Sequence, residues 1–329
     1  MKSTHPRLFL LALNNAPVVL FAIVLAVFGV LAPQFSTGQN LTNIGVQASS
    51  NAIVAIGMTF VLLTAGVDLS VGAIMFVAAA VAGKLLLAGQ SFPLAIAAML
   101  GVGAAGGAVN ALLITRLGVL PFVVTLATLY VGRGFALWIT QTRAMNLPES
   151  FLQLGAVKLA GIPLPIALFV VVLLLAHLTL TRTPFGRQLY AVGADLEAAR
   201  KAGVNTRRIL FCAYVICGLC AALGAVIALA QIGTVSPKFG ENREFSAIAA
   251  AVLGGTSLFG GRGRVFPGTV IGALLIQSVE NGLVILNADP YLYPLITSAI
   301  IFLAVLLDSM RNQMLARWGR RRIRVDETS

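Results

Sequence analysis

Ten apolar runs follow one another along this chain, at Asn14–Ala32, Val46–Thr64, Ser70–Ala88, Phe92–Ile114, Val119–Thr140, Pro163–Thr181, Ile209–Gln231, Phe245–Phe259, Arg264–Leu286 and Leu292–Asp308. A bilayer's hydrocarbon core is about 30 Å thick and takes about 20 helical residues to cross. Most of the runs are long enough; Phe245–Phe259 is short and reads as broken or tilted. Backbone inside lipid must satisfy its own hydrogen bonds, so each run is expected to be a helix. A mean hydropathy of +0.94 agrees. The expected fold class is all-α, a polytopic membrane protein with about ten transmembrane helices in a single domain over residues 1–329, without linkers or low-complexity stretches. The first run follows Lys2 and Arg7 as a secretory signal would, but it is longer than a usual signal core and many spans follow, so it reads as an uncleaved anchor.

Lys and Arg near span ends favour the cytoplasmic side. With an inside N-terminus, seventeen fall on one face: Lys2, Arg7, Arg116, six between Arg182 and Arg208, Arg262, Arg264 and six between Arg311 and Arg324. The other face receives Arg143, Lys158, Lys238 and Arg243, while Lys84 and Arg133 lie within spans. Both termini, a loop at about 182–208 and a basic tail at 311–329 are therefore expected in the cytoplasm. The net charge of +12 is the bias that topology demands, and nucleic acid is not an expected partner. Cys212, Cys217 and Cys220 fit no zinc spacing and read as small packing residues. His5 and His177 have no carboxylate pair beside them, and no metal, cofactor or enzymatic activity is expected.

The glycine-rich stretch "VLGGTSLFGGRGRVFPG", Val252 to Gly268, lacks the GxxxxGK[ST] that cradles phosphates, because Gly261 and Arg262 follow Gly260. It reads as a sharp reversal between helices. The stretches from Ala55 and from Ala247 resemble each other weakly, each an apolar helix ending in a small-residue turn, as a parallel internal repeat would. Gly103 with Gly107, and Gly268 with Gly272, are spaced for close helix packing. A charge within a span usually faces a cavity or a partner. Gln277, Glu280 and Asn281 share one helical face and read either as a hydrophilic path or, with Arg133, as a structural ion pair. Asp68, in "TAGVDLSVG", reads as a cap on the following helix.

The most polar passage of the chain's interior is "YAVGADLEAARKAGVNTRR", Tyr190 to Arg208. Asp195 is a good N-cap, Glu197 lies in the first turn, Arg200 and Lys201 in the last, and Gly203 is placed to end the helix. Glu197 and Lys201 add an i, i+4 pair. The spacing predicts a helix of about seven residues, roughly 10 Å long, with Leu196, Ala199 and Gly203 on a small flat face.

"YAVGADLEAARKAGVN" resembles the cytoplasmic coupling loop of bacterial ABC importer permeases of the ribose, arabinose and xylose type, including Glu197, Ala198, Ala199 and Gly203. Similar agreement extends to "NAIVAIGMTFVLLTAGVDLSVGA" at 51–73, "PFVVTLATLYVGRG" at 121–134 and "FSAIAAAVLGGTSLFGGRGRVFPGTVIGALLIQSVENGL" at 245–283. Asp195 stands where that family often has Asn, and Lys201 where an apolar residue is common. The resemblance implies two copies of a non-catalytic permease in the bacterial inner membrane, two ATP-binding cassette subunits on the cytoplasmic face, a periplasmic sugar-binding protein and inward transport. The helix carrying Asp195, Glu197, Ala198, Ala199, Arg200 and Gly203 would couple the ATPase to the membrane. Asp68, Arg133, Gln277, Glu280 and Asn281 are candidates for the translocation path, and Arg143, Lys158, Lys238 and Arg243 for docking of the binding protein. A branched-chain amino-acid permease of related type, a secondary transporter and a non-transporting scaffold are the competing readings.

Overall fold

The computed structural model describes residues 16–293 and positions 295, 296, 298, 299, 302 and 306. The expectations on residues 1–15, on the tail at 311–329 and on most of Leu292–Asp308 lie outside the described residues. The described chain is a helical bundle: α1 (Ala16–Leu31), α2 (Gly38–Leu63), α3 (Val71–Leu87), α4 (Phe92–Leu117), α5 (Pro121–Thr140), α6 (Glu149–Ala156), α7 (Leu164–Arg182), α8 (Pro184–Ala194), α9 (Leu196–Lys201), α10 (Thr206–Ile232), α11 (Arg243–Leu253) and α12 (Val270–Ile285). Among the described residues, six segments are long and apolar enough to cross a membrane alone: α2, α4, α5, α7, α10 and Val265–Ile285, which joins α12 to the widened turn before it. α1 and α3 are apolar but have 16 and 17 residues. The class is all-α and polytopic; the count of ten remains an expectation, because its last run is outside the described residues.

α2 and α3 form the centre. From Ala48 to Leu63 every residue of α2 is buried; 89% of its apolar window is enclosed, against 17% for α5. α5 and α7 instead expose Tyr130, Val131, Trp138, Leu174 and Leu175, as lipid-facing helices must. α10 crosses α4 with almost no side chains between them. A Cβ on Gly103 would strike the carbonyl of Gly218, and one on Gly107 the carbonyl of Tyr214. Cys217 and Cys220 pack against Gly57 of α2, as the small-residue reading expected.

Two boundaries differ from the apolar runs. α2 begins at Gly38, well ahead of Val46, where Thr37 caps it by accepting from the Asn40 amide at 3.3 Å. The run Phe245–Phe259 is helical only to Leu253, because Gly254 and Gly255 follow and Gly255 takes φ +89°. α11 is thus a half-span of 11 residues. It lies antiparallel to α12, with Gly254 against Gly268 and Ala250 against Gly272.

One end of the bundle carries a polar cap. A two-residue ladder pairs β1 (Met145–Asn146) with β4 (Thr234–Val235), tying the loop after α5 to the loop after α10. A second pairs β2 (Lys158–Leu159) with β3 (Ile162–Pro163) at the entry to α7. The opposite end carries α8, α9 and the loop from 254 to 264.

Candidate functional site

α8 and α9 meet at Asp195. Its amide ends α8 by donating to the Ala191 carbonyl at 3.1 Å, and its carboxylate starts α9 by accepting from the Ala198 amide at 2.9 Å. The C-terminus of α9 closes with two further bonds, Gly203 amide to Arg200 carbonyl at 3.0 Å and Val204 amide to Ala199 carbonyl at 3.1 Å. This is a Schellman stop, and it requires the left-handed residue that Gly203 supplies at φ +84°. The helix has six residues. Glu197 pairs with Arg200, at 3.1 Å, and not with Lys201 as its i, i+4 spacing suggested; the three-residue offset brings the guanidinium over the carboxylate within one turn. The flat face is divided: Ala199 is buried against the bundle, while Leu196, Ala198 and Gly203 are exposed. The outward surface of α9 is thus free of internal obligations.

α8 was not apparent from hydropathy, although Thr183 followed by Pro184 is a helix-start signal: Thr183 accepts from the Gly186 amide at 3.2 Å and Pro184 takes the first position. α8 is pressed onto the bundle. Gly193 sits against the Leu63 carbonyl at the end of α2 and against Gly261. The Gly261 amide donates to that same carbonyl at 3.0 Å, and the Tyr190 hydroxyl donates to the Gly263 carbonyl at 2.8 Å. Burial raises the Tyr190 phenol above its ordinary pKa, with Arg264 partly opposing the shift, so it remains protonated at neutral pH. The two glycine-bearing turns that look alike in sequence, after α2 and after α11, therefore lie side by side beneath α8.

α2 and α12 carry a column of polar rungs. Thr59 and Thr269 share a buried hydroxyl hydrogen bond at 2.8 Å; Gln277 Nε2 donates to Gln47 Oε1 at 3.0 Å; Asn40 Nδ2 donates to Asn281 Oδ1 at 2.8 Å. Gln277 and Asn281 thus come together with Gln47 and Asn40, and Asn43 lies on the same face of α2; Asn43 and Gln47 are exposed. Glu280 does not pair with Arg133: among the described residues the only ion pair is that of Arg200 with Glu197. Neither Glu280 nor Arg133 has an ion-pair partner among the described residues. The antiparallel register of α11 and α12 sets Arg243, and not Arg133, level with Glu280.

Asp68 stands apart from this column and does not occupy the N-cap position. It is fully buried and closes the turn before α3, accepting from the Ser70 amide at 2.9 Å and the Ser70 hydroxyl at 2.6 Å. Asn110 extends the network, donating to Ser70 Oγ at 2.8 Å and accepting from Thr128 at 2.6 Å. A buried, bonded set of this kind fixes how α3, α4 and α5 meet.

At the capped end, Arg143, Lys158 and Lys238 are exposed. Arg143 precedes β1 and Lys238 follows β4, so both lie beyond the same end of one ladder. Arg243 is half-buried, level with Glu280 on the neighbouring α12.

These features define a polytopic all-α membrane protein with a capped helix presented at one end of the bundle and polar rungs between two of its spans. The sequence profile of the family described as branched-chain amino acid transport system / permease component matches residues 40–307, and the chain belongs to that family. It is similar to the D-allose transport system permease protein of Escherichia coli (strain K12), 38% identical over 88% of this chain and 90% of that one. It is likewise 38% identical to the ribose import permease protein of Bacillus subtilis (strain 168), over 89% and 91% of the two chains. The fructose import permease protein of Rhizobium meliloti is 36% identical, over 89% and 84%. No solved structure matches the chain.

Proposed function

We propose that this chain is the permease subunit of an ABC importer that takes up a sugar, driven by separate ATP-binding cassette subunits on the cytoplasmic face and supplied by a periplasmic binding protein. The observation that carries this reading is the placement of α9. It is capped at both ends, exposed on its outward surface and continuous through Asp195 with α8, which rests on the end of α2 and on the loop leading into α12. Those are the two helices that hold the polar rungs. A push on α9 has a short rigid route to them. Sugar is favoured over a branched-chain amino acid because the similar permeases named above import sugars, and because the rungs are neutral amides suited to hydroxyls. The bacterial inner membrane, with both termini in the cytoplasm, follows from the charge bias.

In one copy of the chain, the face bearing Asn43, Gln47 and Gln277 is open to its surroundings. Amides facing lipid are costly, whereas amides facing a water-filled space are not. A second copy closing that face would make the translocation path. Single cysteines at Gln47, Gln277 and Glu280, with Cys212, Cys217 and Cys220 replaced, should react with a small polar thiol reagent. Their rates should change when binding protein and ATP are added. Inertness of all three in every state, with normal uptake by Glu280→Gln, would make the column structural.

Arg143, Lys158 and Lys238 would meet carboxylates of the binding protein, with the half-buried Arg243 set back from them. Affinity capture of the assembled importer should bring down a soluble binding protein carrying a sugar. Arg143→Glu with Lys238→Glu should slow its association several-fold at low salt and little at high salt. Recovery of leucine in the captured protein would favour the amino-acid reading. An unchanged association rate at low salt would remove these cations from docking.

A further inference from the structure

A cavity of about 370 Å³ opens where α7 ends and the chain enters α12, bordered by His177, Thr181, Tyr190, Arg264 and Phe266. It sits at the ends of two membrane-crossing segments, which is the depth of lipid headgroups. Its lining holds Arg264 and His177 and no carboxylate. Arg182 follows the end of the α7 wall, Arg187 lies in α8 and Arg262 stands two residues before Arg264. Arg182, Arg187, Arg262 and Arg264 are all exposed, and none of them has an ion-pair partner among the described residues.

The wall above the cavity is apolar and faces outward. Leu174 and Leu178, 55% and 51% exposed, stand one turn apart on α7 and lead down past His177 to Thr181. Phe266, 53% exposed, flanks the opening and meets the His177 ring edge-on at 6.1 Å. A cationic pocket for an anion and an apolar strip for hydrocarbon are thus joined in one feature.

The geometry points to a binding site for an anionic phospholipid, its phosphate at Arg264 and His177 and its acyl chains along Leu178 and Leu174. A basic pocket between membrane helices suits such a headgroup, and the strip distinguishes a lipid from free phosphate. The site adjoins Tyr190 and Gly263, whose hydrogen bond holds α8 to the bundle, so an occupied site would steady that joint.

The test is native mass spectrometry of the full chain in mild detergent, titrated with phosphatidylglycerol and with phosphatidylcholine. Wild type should prefer phosphatidylglycerol by roughly fivefold for each guanidinium engaged, and the preference should shrink as salt is raised. Arg264→Gln should lower it about fivefold on the same scale, while Arg264→Lys retains most of it. Thr181→Glu, at an exposed position, should abolish the preference without touching the core. Equal binding of the two lipids by wild type would overturn the site, as would an unchanged preference in Thr181→Glu. Displacement of the lipid by inorganic phosphate at equal concentration would also overturn it, since the apolar strip would then contribute nothing.

Discussion

Ala198→Trp should leave the chain folded in the membrane and nearly abolish uptake by the assembled importer. Ala198 is exposed on the outward surface of α9 and touches nothing that the bundle needs. If that surface seats against an ATPase subunit, an indole there overpacks the contact by about 1–3 kcal/mol, or roughly 5- to 150-fold in docking. Ala199→Trp separates docking from folding. Ala199 is 5% exposed and faces the bundle, so this variant should lose folded protein as well as uptake. The measurement is transport per folded permease, with yield from size-exclusion chromatography. Normal uptake by Ala198→Trp would remove α9 from the docking surface.

Gly107→Leu is expected to prevent folding. At Gly107 a Cβ would meet the Tyr214 carbonyl and the backbone of Val215, so no flexible side-chain tip can yield and α4 must separate from α10. Overpacking costs about 1–3 kcal/mol even where side chains can adjust, and a backbone contact offers less relief. Gly101→Leu, on the same helix, has nothing within 4 Å of its added Cβ and should be tolerated. The fraction of monodisperse protein after extraction compares the two; equal recovery would contradict the close crossing.

The helices that a lipid solvent dictates could be read from the chain, because an apolar run is the direct record of a helix surrounded by hydrocarbon or by other apolar helices. The same criterion hid the first two turns of α2. Asn40 and Asn43 are amides that a hydropathy window rejects, so the run appeared to begin at Val46 although the helix begins at Gly38. On α12, Gln277 and Asn281 were visible because Ile276, Val279 and Leu283 surround them; their partners on α2 were not. α11 was legible as a short run, and its glycines accounted for where it stops. That Glu280 would not pair with Arg133 was beyond reach, since a sequence carries no register between helices; Arg133 was the one cation the sequence suggested for it, and the register of α11 against α12 brings Arg243 level with it instead. The caps of α9 at Asp195 and Gly203 were readable because both act within a few residues. Its division into a buried Ala199 and an exposed Ala198 depended on where the bundle lies.

The central claim is that transport through this chain is powered by ATP hydrolysed elsewhere. The direct measurement is uptake of radiolabelled sugar into proteoliposomes holding the permease and its ATP-binding cassette partner, with loaded binding protein on one side and ATP on the other. The account predicts accumulation that requires ATP and binding protein together, persists when the proton gradient is collapsed and is lost in Ala198→Trp. Accumulation without ATP that disappears with the proton gradient would show a secondary transporter and contradict the account.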